Sequence, residues 1–480
     1  MDANANNRYD RQLRLWGEDG QAALMGAHIL LVNSGPTGTE TLKNLVLPGV
    51  GRFTILDEAT TFEADLANNF FVNKAGIGRP RAQVATELLC EMNPDVKGAA
   101  EVSSLEEKME KDPAFFGKFA LVIASQVPEP LLRRLGKLCW DARVSLLVAR
   151  SYGLLGHVRL VLREHCVVQS KPDGDRQDLR IAQPWPSLER HCAAVDRSAQ
   201  DSKQHSHTPW VVVLVQLIKA WKEAHGGAPP TTFAEKQEFK ERVKEAARDF
   251  DKEINYQEAY AGAYKAHASA KLPGDVTALF EDPRVTSLTA DTADFWLLLR
   301  ALKDFVAGPG NGLPPLQGEI PDMTADTDSY VGLQGLYKAK AEEDVEAVVE
   351  IVEGHLKALG RPAGSVPRAD VDLFCKNARG LIAVTSRSLE EECDPATMAK
   401  DEISSALMDA YEPAPEQTPV LWYLALRAVD RFWEKNARYP GEEDATVIPD
   451  GHGLWNELRT MLKEWGIEAE SISKKHGLEM

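Results

Sequence analysis

The chain has no unbroken apolar run approaching the roughly 20 residues that a membrane-spanning helix needs, so a helical membrane protein is not expected. It is short of cysteine, with six in 480 residues, and Cys90, Cys139, Cys166, Cys192, Cys375 and Cys393 form no CxxC or CxH spacing. Neither a zinc site nor a disulfide framework is therefore indicated, and buried thiols are the expectation. Positive charge is in deficit: 55 Lys and Arg against 73 Asp and Glu give a net charge of −18. Such a surface repels a phosphate backbone, which argues against nucleic acid as a partner. The opening MDANANNRYDRQ lacks both the apolar core of a secretory signal and the Arg-rich, acid-poor balance of a transit peptide, so a cytoplasmic or nuclear location is expected. What is present is ordinary for a globular protein, with 44% hydrophobic and 27% charged residues. A chain of 480 residues exceeds what one core usually supports, which implies several domains or one domain with a large insertion.

From Ala27 to about Val161, the apolar runs HILLV, FTIL, ALVIA, VSLLVA and VRLVL read as strands. Helical patterns at Thr37 to Val46 and Arg79 to Met92 alternate with them. That alternation predicts a doubly wound α/β domain, Rossmann-like, with a mainly parallel sheet covered on both faces, over residues 1–165. Beyond Glu164 the sequence becomes polar from Lys171 to Thr208 and then reads as helix with long loops, an α-rich domain over 166–480. LLLRALKDF (Leu297 to Phe305) and LALRAVDRF (Leu424 to Phe432) share a spacing, with VVVLVQLIKAW (Val211 to Trp221) a looser copy. Core helices of one bundle explain all three. AEEDVEAVVEIV from Ala341, continuing to Leu359, reads as an acidic solvated helix, and LEEECD at Leu389 to Asp394 starts or decorates another. DRSAQDSKQHSH, Asp196 to His207, reads as a mobile loop.

The strand HILLV runs into NSGPTGTETLKNL, placing Asn33, Gly35 and Gly38 where a nucleotide loop has GxGxxG, with Asp57 closing the next strand. Asn33 replaces the first glycine, and Asn tolerates the left-handed turn, so the fold survives. Pro36 removes an N–H and fixes φ, so the anion-binding chemistry is lost. A degenerate loop that binds no cofactor is the expectation.

YDRQLRLWG (Tyr9 to Gly17), ETLKNLVLPGVGRFTILD (Glu40 to Asp57), NNFFV (Asn68 to Val72) and GIGRPRA (Gly76 to Ala82) resemble the adenylation domain of ubiquitin-like modifier activating enzymes. HSHTPW (His205 to Trp210), IPDMTADTDSYVGLQ (Ile320 to Gln334), KDEISS (Lys400 to Ser405) and LRAVDRF resemble the regulatory, non-catalytic subunits of neddylation activating enzymes in particular. The resemblance implies a heterodimer whose catalytic subunit holds ATP, magnesium and the thioester cysteine. This chain would be the non-adenylating half, no enzyme on its own. It further implies the neddylation modifier as a partner, with its conjugating enzyme a further candidate. Active members carry Gly where Asn33 and Pro36 stand, Arg at Asn68, Lys at Arg81 and a magnesium-binding Asp at Val127. The matching Arg11 of YDRQ would act in trans on the partner's ATP, as an arginine finger does; the plain alternative is that it pairs with an acidic neighbour. Asp322, Met323, Asp326, Tyr330, Leu333 and Gln334 would line the partner interface, with an exposed loop the alternative.

His205 and His207 form an HxH pair without an evident third ligand, and Thr208 with Pro209 reads as a helix start. No cysteine is followed by Thr as the family's thioester cysteine is, and Cys375 has no base beside it, so thioester chemistry is not expected here. Family members return to the adenylation fold after the helical insertion, and the chain stops at SISKKHGLEM, so that return is expected to be missing. Two other readings stand beside this one: an adaptor on a degenerate nucleotide fold, and a Rossmann oxidoreductase, which would require an intact loop.

Overall fold

The structure is a computed structural model that describes residues 8–169, 177–409, 419–442 and 446–467. The start of the polar stretch at Lys171 and the closing SISKKHGLEM lie outside those residues. Contacts divide the chain into two units, residues 1–165 with 384–480, and residues 166–383. The expectation of one α-rich domain from 166 to 480 differs from this division. From Val384 onward the chain packs with the first unit, through contacts that local sequence pattern does not encode.

The first unit is built on a six-stranded sheet in the order β3-β2-β1-β4-β5-β6. Its strands are β1 (His28–Val32), β2 (Arg52–Leu56), β3 (Lys97–Glu101), β4 (Leu121–Ser125), β5 (Ser145–Tyr152) and β6 (Leu155–Val161). Pairs β1·β2, β1·β4, β2·β3 and β4·β5 are parallel, while β6 turns back antiparallel on β5. The sequence marks four parallel strands and β6. It misses β3, whose KGAAE has no apolar run because it lies at the sheet edge, half exposed.

Alternation along β1 shows why HILLV is apolar throughout. Ile29 and Leu31 face one core, with Leu42 and Val46 of the helix Pro36–Val46 and Ala82, Ala85 and Leu89 of the helix Arg81–Met92. Leu30 and Val32 face the other, with Leu132 and Leu135 of the helix Glu129–Asp141 and Phe116. Leu389, in the short helix Leu389–Cys393, joins that second core and fills the space over Gly136. Helices Pro419–Asn436 and Val447–Trp465 then make a core of their own around Leu424, Ala428, Trp455, Leu458 and Trp465.

The second unit has two cores. One surrounds the helix Trp210–Ala224 and the other the helix Asp294–Ala307. The helix Thr327–Ala358 feeds both, giving Leu333 and Tyr337 to the first and Val345, Val348, Val352 and Leu356 to the second. The acidic helix read from Ala341 is the second half of that element. The three similar apolar helices are all core, but of three different cores, not one bundle. A 3.6-residue apolar period specifies that a face is buried, not what it is buried against.

Asp196 to His207 is also corrected. Asp201 and Gln204 form a reciprocal capping box that opens the short helix Ser202–Ser206. His205 is buried there, its ring nitrogens bonded to Glu253 Oε1 at 2.6 Å and Tyr256 Oη at 2.9 Å. Thr208 does not cap the next helix: its hydroxyl donates to Gln204 O and Gln200 Oε1, and Pro209 takes the cap position.

Candidate functional site

The degenerate loop leaves the C-terminal end of β1. Asn33 takes φ +66°, the left-handed turn expected of it, and its Nδ2 donates to Ser125 O at 2.9 Å at the end of β4. Gly35 precedes the helix and Pro36 occupies its first turn, so no N–H of residue 36 points outward. Gly38 is needed for close approach: a Cβ there would lie 2.5 Å from Asn33 O. Thr37 Oγ1 and Ser151 Oγ, 2.7 Å apart, tie the helix start to β5.

The side chains around this turn are spent on one another. Asp57, 3% exposed at the end of β2, accepts on Oδ2 from Ser34 N (2.8 Å), Ser34 Oγ (2.6 Å) and Arg81 Nε (2.9 Å), and on Oδ1 from Ala59 N (2.8 Å). Arg81 also reaches Asp65 at 3.3 Å. Asn69, 3% exposed, donates to Ser34 O at 2.9 Å and accepts from Thr39 Oγ1 at 3.1 Å and Phe71 N at 3.0 Å. Asn68 beside it is exposed, and Val127 is a core residue with no oxygen to offer a metal. The acidic group that a nucleotide loop would turn toward a ribose is thus held by this chain's own donors. The donor set does not fit a bound nucleotide and magnesium.

Arg11 lies elsewhere. It is exposed on the helix Asp10–Gly26, whose last turn bonds to Gly51 just before β2 and which follows Tyr9, packed against Gly49 and Asn93. Among the described residues no hydrogen bond or ion pair engages it; the acidic neighbour Asp10 pairs with Arg14 instead. The structure therefore does not bring Arg11 to this chain's own loop.

The residues proposed for an interface divide. Leu333 is fully buried in the second unit, which corrects its place in a contact surface: it faces the core from a helix, not a loop. Met323 and Tyr330 are half-buried against that core. Asp326 caps the helix Thr327–Ala358 through Ser329 N at 2.9 Å, Gln334 accepts from Lys338, and Asp322 is exposed. Cys375 is buried, and burial pushes its thiol up to about 12, as it does for Cys139, Cys192 and Cys393. Cys90, Cys166 and Cys393 are only half-buried, short of the burial expected for all six.

Sequence reasoning missed a second polar constellation. Arg427 grips Glu129 at 2.7 and 3.0 Å, Arg150 grips Asp430 at 2.5 and 2.6 Å, and Arg159 reaches Glu392 at 2.8 Å. The signal was present as Arg427 and Asp430, charged residues that share the buried side of an amphipathic helix.

A mainly parallel sheet wound on both faces, with a helix opening on a broken glycine turn, defines a Rossmann-like α/β domain, and the ThiF family pattern matches residues 9–222. Relatives extend the likeness. The NEDD8-activating enzyme E1 regulatory subunit of Xenopus laevis is 42% identical over 96% of this chain and 86% of its own length. That of Arabidopsis thaliana, AXR1, is 39% identical over 96% and 84%, and that of Saccharomyces cerevisiae is 27% identical over 77% and 78%. The chain belongs to the family of NEDD8-activating enzyme E1 regulatory subunits.

Proposed function

We propose that this chain is the non-adenylating subunit of a heterodimer that activates NEDD8, the first step of neddylation. The reading is carried by the internal saturation of Asp57 by Ser34, Ala59 and Arg81, which leaves the loop without a ribose acceptor while Arg11 stands exposed, its side chain unpaired among the described residues. ATP and magnesium belong to the catalytic partner. There the modifier's C-terminal glycine carboxylate attacks the α-phosphate and pyrophosphate leaves, and a cysteine thiolate of that partner then takes the acyl group from the adenylate as AMP departs. Arg11 stabilises the charge that develops on the departing phosphates, its planar fork suited to two oxygens at once. Asp322, Asp326 and the exposed parts of Met323, Tyr330 and Gln334 contact a partner, and the conjugating enzyme is a further candidate for that surface.

ATP–pyrophosphate exchange, dependent on the modifier, tests the division of labour for this chain alone, for the catalytic subunit alone and for the mixture. Activity in the mixture and none from this chain alone is expected. Exchange by this chain alone would overturn the reading, and an inactive mixture would favour the adaptor.

A further inference from the structure

We infer that the corner Pro48-Gly49-Val50-Gly51 is a platform that positions Arg11 by bracing its helix at three points, an inference that rests on the trans role proposed above. Arg11 sits near the start of the helix Asp10–Gly26, a place where a chain usually frays. A guanidinium that must meet phosphates on another subunit cannot act from a fraying end, since a displacement of about 1 Å can cost on the order of a hundredfold in rate.

The first brace is Tyr9, which precedes the helix and is 1% exposed. Its ring lies against Gly49, where φ is +90° and a Cβ would fall 2.6 Å from the Tyr9 hydroxyl oxygen. Asn93 Nδ2 donates to that hydroxyl at 3.0 Å and to Val46 O at 2.9 Å, while Asn93 Oδ1 accepts from Arg8 Nη1 at 2.7 Å. The second brace is Gln21, fully buried, which donates to Pro48 O at 2.9 Å and accepts from Trp16 Nε1 at 3.1 Å. The third is Gly51, whose N–H donates to Leu24 O at 3.2 Å and whose absent Cβ would overlap the Met25 carbonyl.

Between the first and second braces the helix is broken at Gly17, φ +73° and ψ −179°. Beyond the adjoining residues and the helix's own backbone, no atom lies within 4 Å of where a Cβ on Gly17 would be, so glycine is required there for the backbone angle and not for space. The break lets the segment Asp10–Trp16 take its own direction while both of its ends stay fixed, by Tyr9 on one side and the Trp16–Gln21 bond on the other. Arg11 lies within that segment, and Leu15, one turn on along the same face, is 65% exposed. Tyr9, Gln21, Gly17 and the corner touch no substrate; they are positioning residues that act through Arg11.

A double-mutant cycle on the assembled heterodimer tests this, with modifier-dependent ATP–pyrophosphate exchange as the rate and analytical ultracentrifugation as the check on assembly. Arg11→Ala is expected to slow exchange by about a hundredfold or more. Gly17→Ala should slow it roughly tenfold and Tyr9→Phe severalfold, yet neither should slow it further when Arg11 is already Ala. The proposal is overturned if Gly17→Ala loses the same factor with Arg11 present or replaced, which is what a merely structural role gives, or if both variants exchange at the wild-type rate. If Gly17→Ala does not fold, Tyr9→Phe, which keeps its ring on Gly49, decides the same cycle. An unchanged rate in Arg11→Ala itself sinks the trans-arginine reading, a result distinct from failure of the platform alone.

Discussion

The glycine-turn end of the sheet and its β5–β6 edge are both closed by buried polar bonds, but the chemistry of closure differs. At the turn a single carboxylate, Asp57, collects two backbone N–H groups, a hydroxyl and one guanidinium from residues no more than 24 positions away. At the edge, Arg–carboxylate pairs join residues 280, 298 and 233 positions apart. They surround a cavity of about 50 Å³ that Tyr423 and Cys393 also line. The first closure ties a carboxylate to donors within one stretch of chain, and the second fastens a returning segment to a sheet. Their pKa directions differ as well. Burial pulls Glu129 up, but the Arg427 hydrogen bond and charge pull it further down, below the usual carboxylate range. Burial instead pushes Asp430 up to about 6 against the pull of Arg150.

The comparison is broken most directly at the edge. Arg427→Ala leaves Glu129 buried and alone, and a loss of about 3–5 kcal/mol in urea unfolding is expected. A loss near zero would mean that the pair does not fasten the segment. At the turn, Gly38→Ala drives a Cβ into Asn33 O, a backbone atom that cannot give way, at about 1–3 kcal/mol by the same measurement. Asn33→Gly with Pro36→Gly restores the glycines, yet Asp57 stays held by Ser34 and Arg81, so no ATP binding by calorimetry is expected. Binding would show that the proline and asparagine alone keep the site closed.

A pH series sharpens the edge further. The folded pKa of Asp430 stands above its ordinary 3.8, so between about 4 and 6 the folded state holds a proton that the unfolded state releases, and this group's contribution falls as pH rises through about 6. Asn mimics the protonated form. Wild type should therefore lose stability relative to Asp430→Asn as pH rises from 4.5 to 7, and a gain relative to the variant over that range would place the folded pKa on the other side. The smallest effect is chemical: Cys393 and Cys375, their thiols raised by burial, should both react slowly with a disulfide reagent at pH 8, and fast labelling of either would show that its thiol is not held in the protonated form.

The α/β half was legible because its signals are local. Apolar runs of strand length flanked by helical periods name the layers, and Asn33 and Pro36 name the damage to the loop at the residues where it occurs. Mobile text proved ordered at Asp196 to His207, where an Asp201–Gln204 capping box is spread among polar residues that look like a loop. The repeated helices misled in the opposite sense, since similar apolar faces served three separate cores.

By itself the sequence determined that the chain folds as α/β with helical additions and that its glycine turn is degenerate, because strand and helix periods and the φ demands of Gly, Asn and Pro act within a few residues. Only the tertiary structure decided that residues beyond Val384 return to the sheet, that Asp57 is consumed by Ser34 and Arg81, that Leu333 is core, and that the Pro48–Gly51 corner braces the helix of Arg11. Those outcomes depend on which donor meets which acceptor, and on which face meets which core, across separations that no local pattern records.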